Sequence, residues 1–396
     1  MQYEYDHLIV GAGITADAAA KAIRESDAAA RIGIVGDEAH APYERPPLSK
    51  ALWKDDKPVE SIDLGTAKTG AVLHLGRRIV ALDRTAHTVT DDQGDVYRYH
   101  RLLLATGATP RRLPFGGERV IAFRTLDDYL ALRRYAVPDA RIAVIGGGFI
   151  GSEIAASLAG KGCKVTMLFP GSGIGAGRYP HNLSAFLDGY YRERGVDLCA
   201  GVRVVDGRDF GDYVELVVAD GTSARFDAVV AGTGVVPNTE LATASGLVVD
   251  NGIVVDAQLR TSDPDIFAAG DVANSPCAPL GVRLRVEHEN AAIGMGHHAG
   301  RNMVGAGDAY TTLPFFYSDL FDLGYEAVGL LDDRLEVVEQ WTQPYREGVV
   351  YYLDGGRVRG VLLWNVWGQV EPARELIEAR GPFDAESVRG KLPRLV

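Results

Sequence analysis

The feature that most constrains this chain is an apolar run that breaks into glycines and resumes as a helix pattern, Arg141-Ile-Ala-Val-Ile-Gly-Gly-Gly-Phe-Ile-Gly-Ser-Glu153. Ile142 to Ile145 has the length and β-branching of a buried strand. Gly146, Gly148 and Gly151 form G-x-G-x-x-G around Phe149 and Ile150, and a helix pattern is carried from Glu153 to Gly160. Glycines at this spacing allow a sharp turn, close approach of backbone to a diphosphate, and tight packing of helix on strand. The helix start then offers N–H groups and a positive dipole end to the phosphates. One copy of the motif is weak, but a second stands near the N-terminus. The strand His7 to Val10 leads into Gly11, Ala12, Gly13 and Ala16, and an alanine-rich helix follows to about Ser26. Arg31 to Val35 reads as the next strand, with Asp37 and Glu38 directly after it. An acid about 20 residues beyond the glycines is where a ribose hydroxyl is held, and a carboxylate there suits a ribose without a 2′-phosphate.

The chain has 396 residues, enough for two or three domains, and 46% hydrophobic residues, so it has the material for real cores. A net charge of −12 argues against general binding to nucleic acid or to an anionic membrane. No apolar run reaches about 18 residues and no charged-then-apolar leader opens the chain, so a soluble, unsecreted protein is expected. Cys163, Cys199 and Cys277 fall in no C-x-x-C or metal-ligand spacing. That leaves three buried reduced thiols as the expectation, with no metal site and no redox-active disulfide.

The rest of the chain falls around these two units. Pro42-Tyr-Glu-Arg-Pro-Pro-Leu-Ser-Lys50 is a loop whose adjacent prolines should exclude helix and hold the cations of Arg45 and Lys50 in place. Leu102 to Pro110 is a buried strand running into a turn at Ala105-Thr106-Gly107, and Pro114 to Gly117 reads as a linker. A helix over Leu126 to Tyr135 leads into the central strand. The second unit continues with a strand over Lys164 to Phe169, a glycine-rich loop to Arg178, and strands near Val202, over Val214 to Val218 and over Ala228 to Ala231. It ends at Gly232-Thr-Gly234-Val-Val-Pro-Asn238. No acid stands at the end of its second strand, and Arg178 in the same loop is a candidate reader of a 2′-phosphate. Asp265 to Asp271 is a short buried strand ending in Gly270-Asp271, and Val286 to Met303 reads as a small-residue helix. From Leu313 the texture becomes aromatic-rich antiparallel strands, closed by a helix over Glu371 to Ala379.

These motifs together carry a resemblance. The paired glycine loops, Arg45-Pro-Pro-Leu-Ser-Lys50, Ala105-Thr-Gly107 and Ala268-Ala-Gly-Asp271 look like the FAD-dependent pyridine nucleotide oxidoreductases. Within them the chain resembles the ferredoxin/rubredoxin reductase branch, and most of all its apoptosis-inducing-factor-like members. The closer likeness rests on Gly146 to Glu153, Leu168-Phe-Pro170, Arg285-Val-Glu-His288, Ser318-Asp319 and Gly324-Tyr-Glu-Ala327. The resemblance implies an α/β fold with two Rossmann-like, glutathione-reductase-like nucleotide-binding domains and a C-terminal α+β domain. It implies an FAD-binding domain over residues 1–112 and 246–310, an NAD(P)H-binding domain over 113–245 and the C-terminal domain over 311–396. With no leader motif, a bacterial, cytoplasmic relative is expected.

Carried over residue by residue, the first glycine loop with Asp37 corresponds to the FAD diphosphate and ribose site, and the adjacent Glu38 could share the ribose. Arg45, Lys50, Ile79, Ala105, Thr106, Gly107, Arg124, Gly270, Asp271 and His288 match positions that touch FAD. Gly146, Gly148, Ile150, Gly151 and Gly234 belong to the nicotinamide nucleotide site, and Phe149 resembles an aromatic that screens the flavin. Glu287, Tyr317 and Glu326 match positions near nicotinamide, with Tyr317 where the family usually has tryptophan. Lys50 and Glu153 resemble an ion pair beside flavin N5, in which a lysine cation stabilises arriving negative charge and the glutamate keeps it charged and oriented.

The expected activity is hydride transfer from NADH to FAD, with NADPH not excluded, and onward transfer of electrons to a ferredoxin, a rubredoxin or a small acceptor. The alternative is a redox-responsive binding protein, in which a long-lived complex formed by NADH selects a partner or a homodimer.

Overall fold

Each strand–glycine–helix stretch starts a parallel sheet, because a β-branched strand buried on both faces needs helices to cover it. The computed structural model describes residues 1–54 and 57–393. They form two compact units, one of Met1–Glu44, Val59–Thr109 and Val236–Pro314, the other of Arg45–Pro58, Pro110–Val235 and Phe315–Val396.

In the first unit the strand Gln2–Val10 lies between Ile32–Gly36 and Val96–Leu104 and runs parallel to both. Val72–Leu75 extends one edge, and Ile266–Ala268 joins Val96–Leu104 in parallel, which brings the late segment back to the first sheet. The strands Ile79–Asp83 and Thr88–Asp91 add an antiparallel edge. Helices Ile14–Ser26 and Glu289–Met303 pack closely enough that a Cβ at Gly296 would collide with the carbonyl oxygen of Thr15. The core between them is made of Leu8, Ile9, Ile34, Leu103, Phe267 and their neighbours.

In the second unit the parallel sheet is ordered Asp197–Ala200, Lys164–Phe169, Arg141–Ile145, Ala228–Ala231, Val120–Ala122. The same unit holds an antiparallel sheet ordered Phe315–Leu320, Leu323–Gly329, Arg357–Trp364, Glu347–Asp354, Glu336–Gln343, with the helix Val370–Glu378.

The structure corrects several sequence expectations. The prolines do not exclude helix, since Pro46–Ser49 is a turn of 3-10 helix. Both prolines stand in its first positions, where the N–H that proline lacks has no intrahelical partner. The helix of the second glycine unit starts at Phe149 rather than near Glu153, and the late helix starts at Glu289 rather than Val286. The strands expected near Val202 are present as two, Asp197–Ala200 and Val204–Asp209, with Val202 between them. An unexpected helix, His181–Glu193, follows the glycine-rich loop and buries Leu183, Leu187, Tyr190 and Tyr191.

Candidate active site

In the first unit the chain turns at Gly11, whose φ of 110° and contact with the carbonyl of Ala105 leave no room for a Cβ. Gly13 then caps the helix Ile14–Ser26 without any side-chain hydrogen bond, so the helix start presents backbone to whatever lies before it. A concave glycine turn at an uncapped helix start fits a diphosphate. Ala105, Thr106 and Gly107 are held by a residue that sequence reasoning quoted but gave no role. Asn238 donates from Nδ2 to the Thr106 carbonyl at 2.8 Å, its carbonyl accepts from Thr106 Oγ1 at 2.8 Å, and its N–H donates to the Gly107 carbonyl at 3.0 Å.

The two candidate ribose acids differ. Glu38 accepts from the Tyr43 hydroxyl at 2.6 Å, whereas the Asp37 side chain is 60% exposed and lies 3.5 Å from Arg78. Glu38 is therefore the better-held carboxylate. Ile79 packs on the sheet core. Arg285 donates to the Asp271 carbonyl at 3.1 Å and pairs with Glu287 at 2.7 Å, tying the Gly270-Asp271 turn to the approach to His288, the residue before the helix Glu289–Met303.

The second unit repeats the glycine turn. Gly146 has φ 125° and a Cβ there would strike the Gly232 carbonyl, while Gly148 caps the helix Phe149–Gly160 with no side-chain bond. By contrast, the helix Leu126–Arg133 is closed by Thr125 and Asp128 in a capping box. Ile150 is 40% exposed at the start of the glycine-loop helix, and the Gly234 carbonyl accepts from the Arg111 N–H at 2.9 Å. Arg45 and Arg124 come together, with Arg45 Nη1 donating to the Arg124 carbonyl at 3.1 Å.

One turn into this helix, Glu153 is buried at 3% exposure and forms an ion pair with Lys50, Nζ to Oε1 2.8 Å. Two hydroxyls complete the carboxylate's partners: Ser49 donates to Oε2 at 2.5 Å and Ser318 to Oε1 at 2.6 Å. Lys50 also lies 5.3 Å from the centre of the Tyr317 ring. A buried ion pair is tolerable only when further hydrogen bonds support it, and here two hydroxyls do so on the carboxylate.

The strands Phe315–Leu320 and Leu323–Gly329 alternate faces, so Tyr317 opposes Glu326 while Ser318 opposes Tyr325. Burial pushes the Glu326 carboxyl up, and its Oε2 is a buried oxygen without a hydrogen-bond partner. Phe149 is clasped between Phe316, at 5.0 Å between ring centres, and the Arg178 guanidinium, 4.8 Å over its ring. Arg178 thus contacts Phe149 rather than standing apart as a lone loop cation. Under the glycine-rich loop, Asp188 from the unexpected helix accepts from the Ile174 N–H at 2.9 Å. Cys163, Cys199 and Cys277 are not joined to one another in disulfides, and burial raises the thiols of Cys163 and Cys199. Among the described residues no cluster of three metal-ligating side chains occurs, and no helix is long and apolar enough to cross a membrane.

Comparison with known proteins matches residues 5–296 to the family model described as pyridine nucleotide-disulphide oxidoreductase. Residues 299–344 and 338–379 match the model of the apoptosis-inducing factor, mitochondrion-associated, C-terminal region. The chain is 38% identical, over 96% of both chains, to the ferredoxin–NAD(+) reductase component of the anthranilate 1,2-dioxygenase system of Burkholderia cepacia. It is 33% identical to the mitochondrial apoptosis-inducing factor 1 of Dictyostelium discoideum, over 96% of this chain and 80% of that one. Among solved structures, the covalent putidaredoxin reductase–putidaredoxin complex superposes with a TM-score of 0.89 at 32% identity, over 94% of this chain and 93% of that one.

Proposed function

The chain belongs to the pyridine nucleotide-disulphide oxidoreductase family, and from that premise we propose that it passes electrons from NADH, by way of FAD, to a small iron–sulfur protein of the ferredoxin type. It is an oxidoreductase with FAD and NAD(H) as cofactors. FAD, when bound, would supply the redox chemistry, exchanging a hydride with nicotinamide and single electrons with the acceptor. The protein's part is to bind, orient and balance charge.

Residues 1–112 and 246–310 serve as the FAD-binding domain. Gly11, Ala12 and Gly13 hold the diphosphate, and Glu38, with Asp37 beside it, holds the ribose. Ala105, Thr106, Gly107, Ile79, Gly270, Asp271 and His288 line the remainder, and Glu287 serves the nicotinamide end. Residues 113–245 bind NAD(H) through Gly146, Gly148, Ile150, Gly151 and Gly234. Arg45 and Arg124 contact FAD, Phe149 screens the flavin until nicotinamide takes its place, and Tyr317 and Glu326 hold nicotinamide. Lys50 places a fixed cation where negative charge arrives, and Glu153 keeps that cation charged and aimed.

The observation that carries this reading is the Lys50–Glu153 pair, its carboxylate buried and held by two further hydroxyls, in a chain whose three cysteines fall in no C-x-x-C spacing that would suit a disulfide relay. The acceptor rests on the ferredoxin–NAD(+) reductase relative. The test is anaerobic reduction of the protein-bound FAD by NADH followed by mixing with a [2Fe–2S] ferredoxin. Reoxidation within the turnover time supports a reductase. The match to the apoptosis-inducing factor C-terminal model favours a second reading, a cytoplasmic redox-responsive protein that dimerises on reduction. A long-wavelength charge-transfer band that outlasts ferredoxin addition, with a change to a dimer, would favour that reading instead.

A further inference from the structure

Glu153 is the end point of a line of hydroxyl groups that no part of the reading above requires. Ser318 directs its proton to Glu153 Oε1 at 2.6 Å, so its oxygen is left to accept, and Tyr325 is its cross-strand neighbour. Tyr179 in turn donates to the Tyr325 hydroxyl at 2.7 Å. From the other side Ser49 donates to Oε2 at 2.5 Å, and the backbone carbonyl of Ser49 accepts from Ser157 Oγ at 2.8 Å. Glu153 and Ser157 are four residues apart, so one face of a single helix grips both the side chain and the backbone of the residue preceding Lys50.

Two physical explanations compete for such a line. A proton path must reach water. This one does not: Tyr325 is fully buried, Tyr179 is 3% exposed, and burial raises both phenols so that they stay protonated. An organising network needs only fixed donors aimed at a charge, and every donor here is fixed by packing. Tyr325 stacks on Trp364 with ring centres 5.5 Å apart and nearly parallel planes, and Tyr179 packs edge-on against both. Donors fixed in this way cost no reorganisation when charge arrives nearby.

We infer that Ser49 and Ser318, backed by Tyr325 and Tyr179, are positioning residues that share the charge of Glu153 and so set how much of the Lys50 cation is left for the flavin. The inference rests on the proposed role of the Lys50–Glu153 pair. With the hydroxyls in place, the carboxylate divides its charge among three donors. With one removed, it draws Lys50 more completely, and the surroundings become less positive. Negative charge on bound FAD is then less favoured, and its reduction potential falls.

The test compares the native holoenzyme with Ser318→Ala, Ser49→Ala, Ser318→Thr, Tyr325→Phe and Lys50→Met, each checked for FAD content and circular dichroism. Spectroelectrochemistry gives the midpoint potential of bound FAD, and stopped flow gives its reduction by NADH. The expected result is a more negative potential in both alanine variants. Flavin reduction should slow about threefold or more, a fraction of the effect of one hydrogen bond to a charged group, at unchanged apparent affinity for NADH. Tyr325→Phe should move the potential less, and Ser318→Thr should restore it. Native potential and native rate in both serine-to-alanine variants, beside a slowed Lys50→Met, overturns the inference alone. A native-like Lys50→Met instead overturns the role of the ion pair on which it rests.

Discussion

Glu326 shows how a single position carries both a cost and a use. Burial raises its carboxyl above the ordinary glutamate value, and one of its oxygens lacks a hydrogen-bond partner. A raised folded-state value means that the fold favours the neutral acid. The stabilising contribution is complete below the unfolded-state value and is lost as pH rises through the raised folded-state value. Glu326→Gln should therefore gain stability relative to the native protein as pH increases, with the two converging at acid pH. Melting temperatures of both proteins between about pH 4 and about pH 8 check this; parallel curves would remove Glu326 as a buried acid. Arg178 yields a second prediction. With its guanidinium over Phe149 and no acid at the end of the strand Lys164–Phe169, nothing strongly rejects a 2′-phosphate. Preference for NADH over NADPH should stay within about two decades of kcat/KM, the range of one charged contact, and persist in Arg178→Ala. A native preference for NADPH that vanishes in Arg178→Ala would make Arg178 the phosphate reader after all. At this scale the sequence singled out Lys50 as a cation on a stiff loop but paired it with Glu153 only through a family resemblance, and it gave Ser49, Ser318 and Asn238 no role of their own. Lone serines and asparagines look alike everywhere; their meaning lies in partners more than 100 residues away in the chain.

Among elements, the strand–glycine–helix units were the most legible, because their physics is local. A β-branched strand, glycines at fixed spacing and a helix start must occur in order, and steric exclusion at Gly11 and Gly146 enforces them. Gly146→Ala should weaken NADH binding in a holoprotein that keeps its FAD, since the collision falls on the Gly232 carbonyl within the second unit. Equilibrium titration with NAD(+), read alongside the flavin-to-protein absorbance ratio, checks this; equal loss of both would make the substitution a general folding defect. The helix His181–Glu193 escaped notice although Leu183, Leu187, Tyr190 and Tyr191 have helical spacing. The preceding run of glycines, together with Pro180 at its start, read as continuing loop. The 3-10 turn at Pro46–Ser49 was misread for a related reason: proline bars the interior of a helix but not its first positions.

For the whole molecule, the sequence anticipated that the chain leaves the first parallel sheet, builds a second and returns through Ile266–Ala268. What it could not anticipate was the grouping of the second parallel sheet, the antiparallel sheet and the segment Arg45–Pro58 in one compact unit. That grouping depends on long-range contacts such as Glu153 to Ser49 and Ser318. Purified protein should be yellow and release FAD on denaturation, because no covalent link is expected. The most direct test of the account as a whole is anaerobic stopped-flow reduction of the bound FAD by NADH in the native protein, Lys50→Met and Glu153→Ala. The account predicts that both variants retain FAD and are reduced at least tenfold more slowly, about 1.4 kcal/mol of barrier. Reduction of both at the native rate would contradict it.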